Sequence, residues 1–223
     1  MPKSISSEKG LGLEILFFKE IDSTHKYLVR SIKQKDMKCP KCVVADIQTD
    51  GVGSRGDSWI SQKGNLFLSF CVDLKQLPKD LPLQSVSIYF AYILKELLSK
   101  KGSKIWVKWP NDFYLKDKKI GGVITAKIDK YIVCSIGLNI AKSPEKFEKL
   151  DVAVNRDKIV KEFINKIDCF VSWKQVFSKY KIEFHKSKKF KIHMEDAIVS
   201  LEKAVLDFDG SICIDNKKFY SLR

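Results

Sequence analysis

Hydrophobic residues recur along this chain at two spacings. Apolar or alternating runs of strand length fall at residues 14–18, 43–47, 66–72, 105–107, 113–115, 120–126 and 132–138. Polar residues, glycine or proline bound them, so they predict strands, several of them buried. Helical spacing appears in Tyr27, Leu28 and Ile32, with Ser23 or Thr24 available as the N-cap. It is clearest in Val86, Tyr89, Phe90, Ile93, Leu94, Leu97 and Leu98, which predict an amphipathic helix ending before Gly102. Two further helical faces follow, Val160-Phe163-Ile164-Ile167 and Trp173-Val176-Phe177-Tyr180. Past Lys186 the pattern shortens to strands at 189–193, 198–207 and 211–214, with Gly210 as a turn residue. The predicted organisation is a flexible lead over 1–12, a main domain over 13–184 and a small β domain over 185–223.

Length and composition narrow this picture. The chain has 223 residues, 44% hydrophobic and 30% charged, which supports a globular protein over a disordered or fibrous one. A net charge of +14 favours an acidic partner or substrate. The lysines are spread along the chain, and specific DNA binding is not expected. A basic nucleic-acid-binding module stays as a lesser alternative. No apolar run is long enough to cross a membrane, and no signal-like core follows Met1-Pro2-Lys3-Ser4; a cytoplasmic location is the default. Six cysteines in a chain of this length do not form a disulfide framework. The near pair Cys39 and Cys42 has no second pair to complete a zinc site, so reduced structural thiols are expected.

Four segments carry candidate chemistry. In Gln48 to Trp59, the glycines Gly51, Gly53 and Gly56 allow backbone amides to approach an anion, with Arg55 as a fixed positive fork and Trp59 as an apolar cover. A structural turn with Trp59 in the core fits equally well. In Lys108-Trp109-Pro110-Asn111-Asp112, Lys108 can neutralise phosphate, and Asp112 can orient an amine or stand near Mg²⁺. A charged turn over a buried tryptophan is the alternative. Lys119 precedes Gly121-Gly122, which suits either an anionic ligand or a solvated hairpin tip. Asn139, after Gly137-Leu138, can read a base edge or cap a local turn.

Together with Asp22-Ser23-Thr24, and in this order, these segments resemble the biotin–protein ligases, also called biotin–acetyl-CoA-carboxylase ligases. The resemblance runs from Ile21 to about Tyr180. It implies an α+β fold: a mixed β-sheet backed by helices, followed by a small C-terminal SH3-like β domain. It also implies an ATP-dependent enzyme. Biotin and ATP, with Mg²⁺, form biotinyl-5′-AMP, and the biotin then passes to one lysine of a biotin carboxyl carrier protein, such as that of acetyl-CoA carboxylase. The chain looks like the ligase-only form, without an N-terminal DNA-binding domain, as a monomer or homodimer. Lipoyl or octanoyl transfer on the related fold is the alternative activity.

Carried over by the resemblance, Ser23, Thr24, His25, Gln48, Gly51, Val52, Gly53, Ser54, Lys119, Gly121 and Gly122 line the biotin site. Arg55, Trp59, Lys108, Asn111, Lys119 and Asn139 fall on the ATP side. Lys119, Asn111 and Asp112 are the catalytic candidates, with Asp112 also near the metal. The glycine loop departs from the family pattern. Val52, Ser54 and Asp57 stand where arginines are usual, and Arg55 occupies a variable position. Weaker retention of biotin and adenylate is the expectation. His25 stands where asparagine is common.

Overall fold

The computed structural model describes residues 3–6, 13–36, 41–169, 171–194 and 197–220. An eight-stranded sheet dominates it. The chain enters as β1 (Lys3–Ser6) and β2 (Glu14–Ile21), crosses through α1 (Thr24–Lys33) to β3 (Lys41–Gln48), and makes a short ribbon of β4 (Gly51–Val52) and β5 (Ser58–Trp59) before β6 (Leu66–Asp73). After α2 (Val86–Ser99) come β7 (Trp106–Lys108), β8 (Asp112–Leu115), β9 (Lys118–Ile128) and β10 (Tyr131–Leu138), then α3 (Arg156–Ile167) and α4 (Trp173–Glu183). The sheet order is β1-β2-β3-β6-β10-β9-β8-β7. Only β2 and β3 pair in parallel among these described strands, joined by the α1 crossover; the other pairs are antiparallel. This is the mixed sheet backed by helices that the resemblance implied.

Alternation along β6 and β10 separates two faces. Leu66, Leu68, Phe70 and Val72, with Ile132, Cys134, Ile136 and Leu138, join α2, α3 and α4 in the main core. Val43, Cys71 and Val133 face the other way and meet Leu28 and Ile32 of α1. Beside that patch the same face carries Ser69 and Ser135, paired in register. A hydrophobic helix cannot cover these hydroxyls without cost, and the candidate site lies over them.

The small C-terminal β domain contains β11 (Lys191–Met194) paired with β12 (Ala197–Ser200), and a three-stranded sheet of β13 (Val205–Leu206), β14 (Ile212–Ile214) and β15 (Lys217–Phe219). The stretch expected as one strand over 198–207 is broken by the turn at Glu202 and Lys203. The loop around Phe208 and Gly210 fastens this domain to the rest. Trp109 Nε1 donates to Gly210 O at 2.9 Å, Trp173 Nε1 donates to Phe208 O at 2.7 Å, and the Ser85 hydroxyl donates to Asp209 O. Both tryptophans are fully buried.

Two expectations change. The lead over 1–12 was expected to be flexible, yet Lys3–Ser6 pairs antiparallel with β2 as the sheet's edge strand, because β2 otherwise leaves a row of peptide groups unpaired; residues 7–12 lie outside the described residues. The cysteines are not all thiols: Cys71 is disulfide-bonded, while Cys42, Cys134, Cys169 and Cys213 are free. Cys39 lies outside the described residues. Burial pushes the Cys42 and Cys134 thiols well up, which makes them inert packing residues. Among the described residues no cluster of three metal-ligating side chains occurs, and no helix is long and apolar enough to cross a membrane.

Gly210 offers a test of the fastening loop. Its φ is +78°, and a Cβ there would lie 1.9 Å from the Ser85 hydroxyl oxygen. Gly56 has nearly the same φ, +81°, with nothing within 4 Å. Gly210→Ala is expected to cost more than about 1 kcal/mol and Gly56→Ala distinctly less, measured by urea unfolding. Equal costs would show that the Ser85 contact does not fasten the domain.

Candidate active site

The site begins at the N-terminus of α1. Ser23 caps the helix, its hydroxyl accepting from Lys26 N, and Asp22 accepts from the Ser23 backbone N–H at 2.7 Å. Asp22 is itself paired with Arg30, which holds its carboxyl below the usual range. The next free helix amide, Thr24 N, donates to Gln48 Oε1 at 2.8 Å. Thr24 Oγ1 lies 3.0 Å from the same oxygen. The end of β3 and the start of α1 are therefore locked together, with the Gln48 amide nitrogen left toward a cavity.

That cavity has a volume of about 300 Å³. Three groups of side chains line it. The first is uncharged and polar: Ser23, Thr24, His25, Gln48 and Ser135. The second is charged: Asp112 and Lys119, beside Asn111 and Gly122. The third is an aromatic wall of Trp59 and Phe147, close to the loop residues Val52, Gly53, Ser54, Asp57 and Ser58.

Local backbone features make each group possible. The β8–β9 hairpin pairs Phe113 with Gly121 but Tyr114 with Lys119, so one extra residue is accommodated in β9. This bulge resets the alternation. Lys119 would otherwise share the core face with Gly121 and Val123; instead it shares the cavity face with Gly122. Its ammonium meets Asp112 Oδ1 at 2.7 Å. The other carboxylate oxygen is 3.7 Å from Lys108 Nζ. A Cβ on Gly122 would stand 3.1 Å from Asp112 Oδ1 and 3.7 Å from Lys119 Cε, crowding the pair. Asn111 is fully enclosed; its Nδ2 donates to Val123 O, while its Oδ1 is buried without a partner. The Trp59 ring rests on Gly137, where a Cβ would come within 2.7 Å of it. Gly51 is similarly constrained, its Cβ position lying 2.8 Å from Trp59 O and 3.0 Å from Gln48 Nε2. Trp59 Nε1 is a buried donor with no partner.

A family model described as the Biotin/lipoate A/B protein ligase family matches residues 17–140. The chain belongs to this family. Among solved structures, a biotin acetyl coenzyme A carboxylase synthetase from Helicobacter pylori, with bound biotinylated ATP, is 40% identical with a TM-score of 0.88, over 92% of this chain and 98% of that one. The bifunctional ligase/repressor BirA of Escherichia coli is 37% identical over 128 residues, 54% of this chain and 39% of the relative. The chain thus spans about two fifths of the length of that curated relative. A biotin protein ligase from Aquifex aeolicus shares the fold at a TM-score of 0.72 and 22% identity.

Within this family fold, most of the expected site residues converge. Ser23, Thr24, His25, Gln48, Val52, Gly53, Ser54, Trp59, Asn111, Asp112, Lys119 and Gly122 all border the one cavity. Others do not. Gly51 and Gly121 act from behind: a Cβ at Gly121 would come within 2.4 Å of Gly137 O, so both glycines let neighbouring backbones close up. Lys108 is buried, its ammonium over the rings of Tyr114 and Phe190 at 5.4 and 5.7 Å and 3.7 Å from Asp112 Oδ2. Asn139 is held by Asn65 and the Glu148 carbonyl. It borders a smaller adjoining cavity with Ser58, Trp59, Ile60, Pro144 and Phe147. Arg55 belongs to the short helical turn at Ser54–Gly56. The sequence reading missed Ser69, Ser135 and Phe147. The serines sit singly inside apolar strands, a signal visible as polar interruptions, whereas Phe147 lies in a loop with no motif.

His25 is half-buried, and burial pulls its pKa below the ordinary imidazole value. As pH falls, the unfolded chain therefore takes up this proton first. Stability present above the ordinary value is lost as pH falls through it. Replacing His25 by Gln is expected to make the loss of stability between about pH 7 and pH 5 shallower, by urea midpoints. A decline as steep as that of the wild type would overturn the assignment of a neutral buried imidazole.

Proposed function

We propose that the chain is an ATP-dependent biotin–protein ligase. One observation carries the reading: a single cavity joins an uncharged hydrogen-bonding end, an aromatic wall and a lysine ammonium. Biotin has matching parts. Its cyclic urea needs donors and acceptors in a place where water is excluded. Its carboxylate needs a cation beside the α-phosphate of ATP.

In the first step a biotin carboxylate oxygen attacks the α-phosphorus of ATP. A new C–O–P linkage forms, the α–β bridging P–O bond breaks, and pyrophosphate leaves with that electron pair. The product is biotinyl-5′-AMP. Lys119 is the group that brings two mutually repelling anions together and offsets the charge that grows on the phosphoryl oxygens. Asp112 holds Lys119 in position. In the second step the neutral amine of a carrier-protein lysine attacks the acyl carbon, the C–O bond to AMP breaks, and the amine loses a proton. Asp112 stands where it can orient that amine. The protein acceptor is a biotin carboxyl carrier domain, and the chain's excess positive charge suits an acidic partner.

Mg²⁺ fits the donors present. Asp112 and the orphaned Asn111 Oδ1 are hard oxygen ligands, and Mg²⁺ takes its remaining ligands from phosphate and water. These two residues would hold it, and when bound it would neutralise triphosphate charge. Trp59, with its unpartnered Nε1, and Phe147 form the wall for the nucleoside.

The experiment is to incubate the protein with biotin, MgATP and a carrier domain and to follow carrier mass. Lys119→Ala is expected to lower adenylate formation by roughly a hundredfold or more. Near-normal adenylation by that variant would reject the role of Lys119. The loop adds a second expectation. With Val52, Ser54 and Asp57 at its cavity edge, biotinyl-5′-AMP should escape faster than from a relative with arginines there. Chasing labelled adenylate in the absence of carrier measures the escape; equal retention would show that the arginines are not needed.

A further inference from the structure

The polar end of the cavity rests on a continuous chain of hydrogen bonds. Thr24 Oγ1 and Ser69 Oγ are 2.8 Å apart, Ser69 donates to Ser135 Oγ at 2.8 Å, and Ser135 Oγ lies 2.8 Å from His25 Nδ1. Ser69 is wholly buried, and Thr24 and Ser135 are nearly so. Proton bookkeeping then orders the chain. Each hydroxyl has one proton. The Ser69 proton goes to Ser135, so the proton between Thr24 and Ser69 belongs to Thr24, which shares it with Gln48 Oε1. Ser135, already an acceptor, has its own proton free for His25. Nδ1 of His25 is the acceptor the structure sets within reach of that proton, at 2.8 Å; a neutral imidazole that accepts at Nδ1 carries its proton on Nε2. Burial disfavours the doubly protonated ring. His25 borders the cavity, so the ring offers it a neutral N–H.

We propose that Ser69 and Ser135 are positioning residues that fix His25 in its Nε2–H tautomer, making His25 a specificity determinant that selects a ligand head bearing a carbonyl acceptor. This rests on the biotin reading and deepens it: the acceptor is the urea oxygen. A purely apolar cyclic disulfide head, as in lipoate, would leave the buried donor unpaired, and an unpaired donor disfavours the wrong ligand more strongly than a paired one favours the right ligand. The chain also explains why two serines interrupt apolar strands on this face. Remove either, and the imidazole is free to take the other tautomer, presenting an acceptor to an acceptor.

The test has two independent readouts. The first needs no ligand. In ¹⁵N-histidine-labelled protein, the His25 resonances, assigned through a His25→Gln variant, should show a bare Nδ1 and a protonated Nε2. Ser135→Ala and Ser69→Ala should shift the ring toward a mixture of tautomers. A wild-type ring protonated on Nδ1 overturns the proposal. The second readout is kinetic. Ser135→Ala should raise KM for biotin about tenfold with kcat within about twofold, the pattern of lost ground-state binding. The preference for biotin over 2′-thiobiotin, whose sulfur accepts poorly, should narrow in the same variant. His25→Phe should lose the preference, and His25→Gln, which keeps an acceptor and an N–H on one side chain, should recover part of it. Unchanged KM and preference in Ser135→Ala and His25→Phe, with an active wild type, overturns this proposal alone. A wild type that neither binds nor adenylates biotin overturns the ligase reading and the choice of urea oxygen with it, whatever the tautomer.

Discussion

Lys119 and Asp112 are set into the wall of the cavity, with Lys108 behind Asp112, and the rest of the site is arranged around these charges. Asp112 serves both Lys119 and Lys108, at 2.7 and 3.7 Å. The cavity therefore meets the Lys119 ammonium in a cluster whose side chains are only 8% to 27% exposed. Field lines in such a wall run into the cavity, not into bulk water. An anion brought there recovers interaction that the protein alone cannot supply. A buried ammonium is costly unless it is paired or covered, and Lys108 both meets Asp112 and lies over two aromatic rings.

Holding this cluster requires the hairpin to be irregular and its foundation rigid. The bulge in β9 turns Lys119 to the cavity. Gly122 keeps the space beside it open, and Trp109, next in sequence to Lys108, is anchored in the C-terminal domain through Gly210. A motif that combines Lys108, Trp109 and Asp112 is thus structural and chemical at once. Its indole fixes the strand end from which the two charged residues project. In this segment Trp109 is fully buried while Asp112 pairs with Lys108 and Lys119.

The long elements were legible because periodicity reports burial directly: α1, α2, α3, α4 and the central strands fall where the apolar spacing puts them. The site was legible as motifs, and most of its residues do share one cavity. What the sequence could not show depends on register and on pairs distant in the chain. Nothing in Lys119-Ile120-Gly121-Gly122 reveals a bulge, because a bulge is a relation between two strands. Ser69 and Ser135 are 66 positions apart and gain meaning only when β6 pairs with β10. Lys3–Ser6 lacks a pattern strong enough to predict a strand, since its order comes from the edge of β2. Lys108 and Asn139 were assigned to the ligand by motif, yet packing directs the first to Asp112 and two rings and the second to Asn65 and a backbone carbonyl.

The cavity separates two tasks by chemistry. Its neutral end is wired through Gln48, Thr24, Ser69, Ser135 and His25, and its charged end through Asp112 and Lys119; the hydrogen bonds of the first set and the ion pair of the second share no residue. Perturbations at unconnected sites combine additively, whereas members of one network do not. Recognition of a head group and activation of a carboxylate can therefore change separately. The glycine loop gives up positive charge at its cavity edge, yet this leaves both networks intact. On the proposed reading, a weaker grip on an anionic intermediate there would leave both the neutral donor set and the Lys119–Asp112 pair undisturbed.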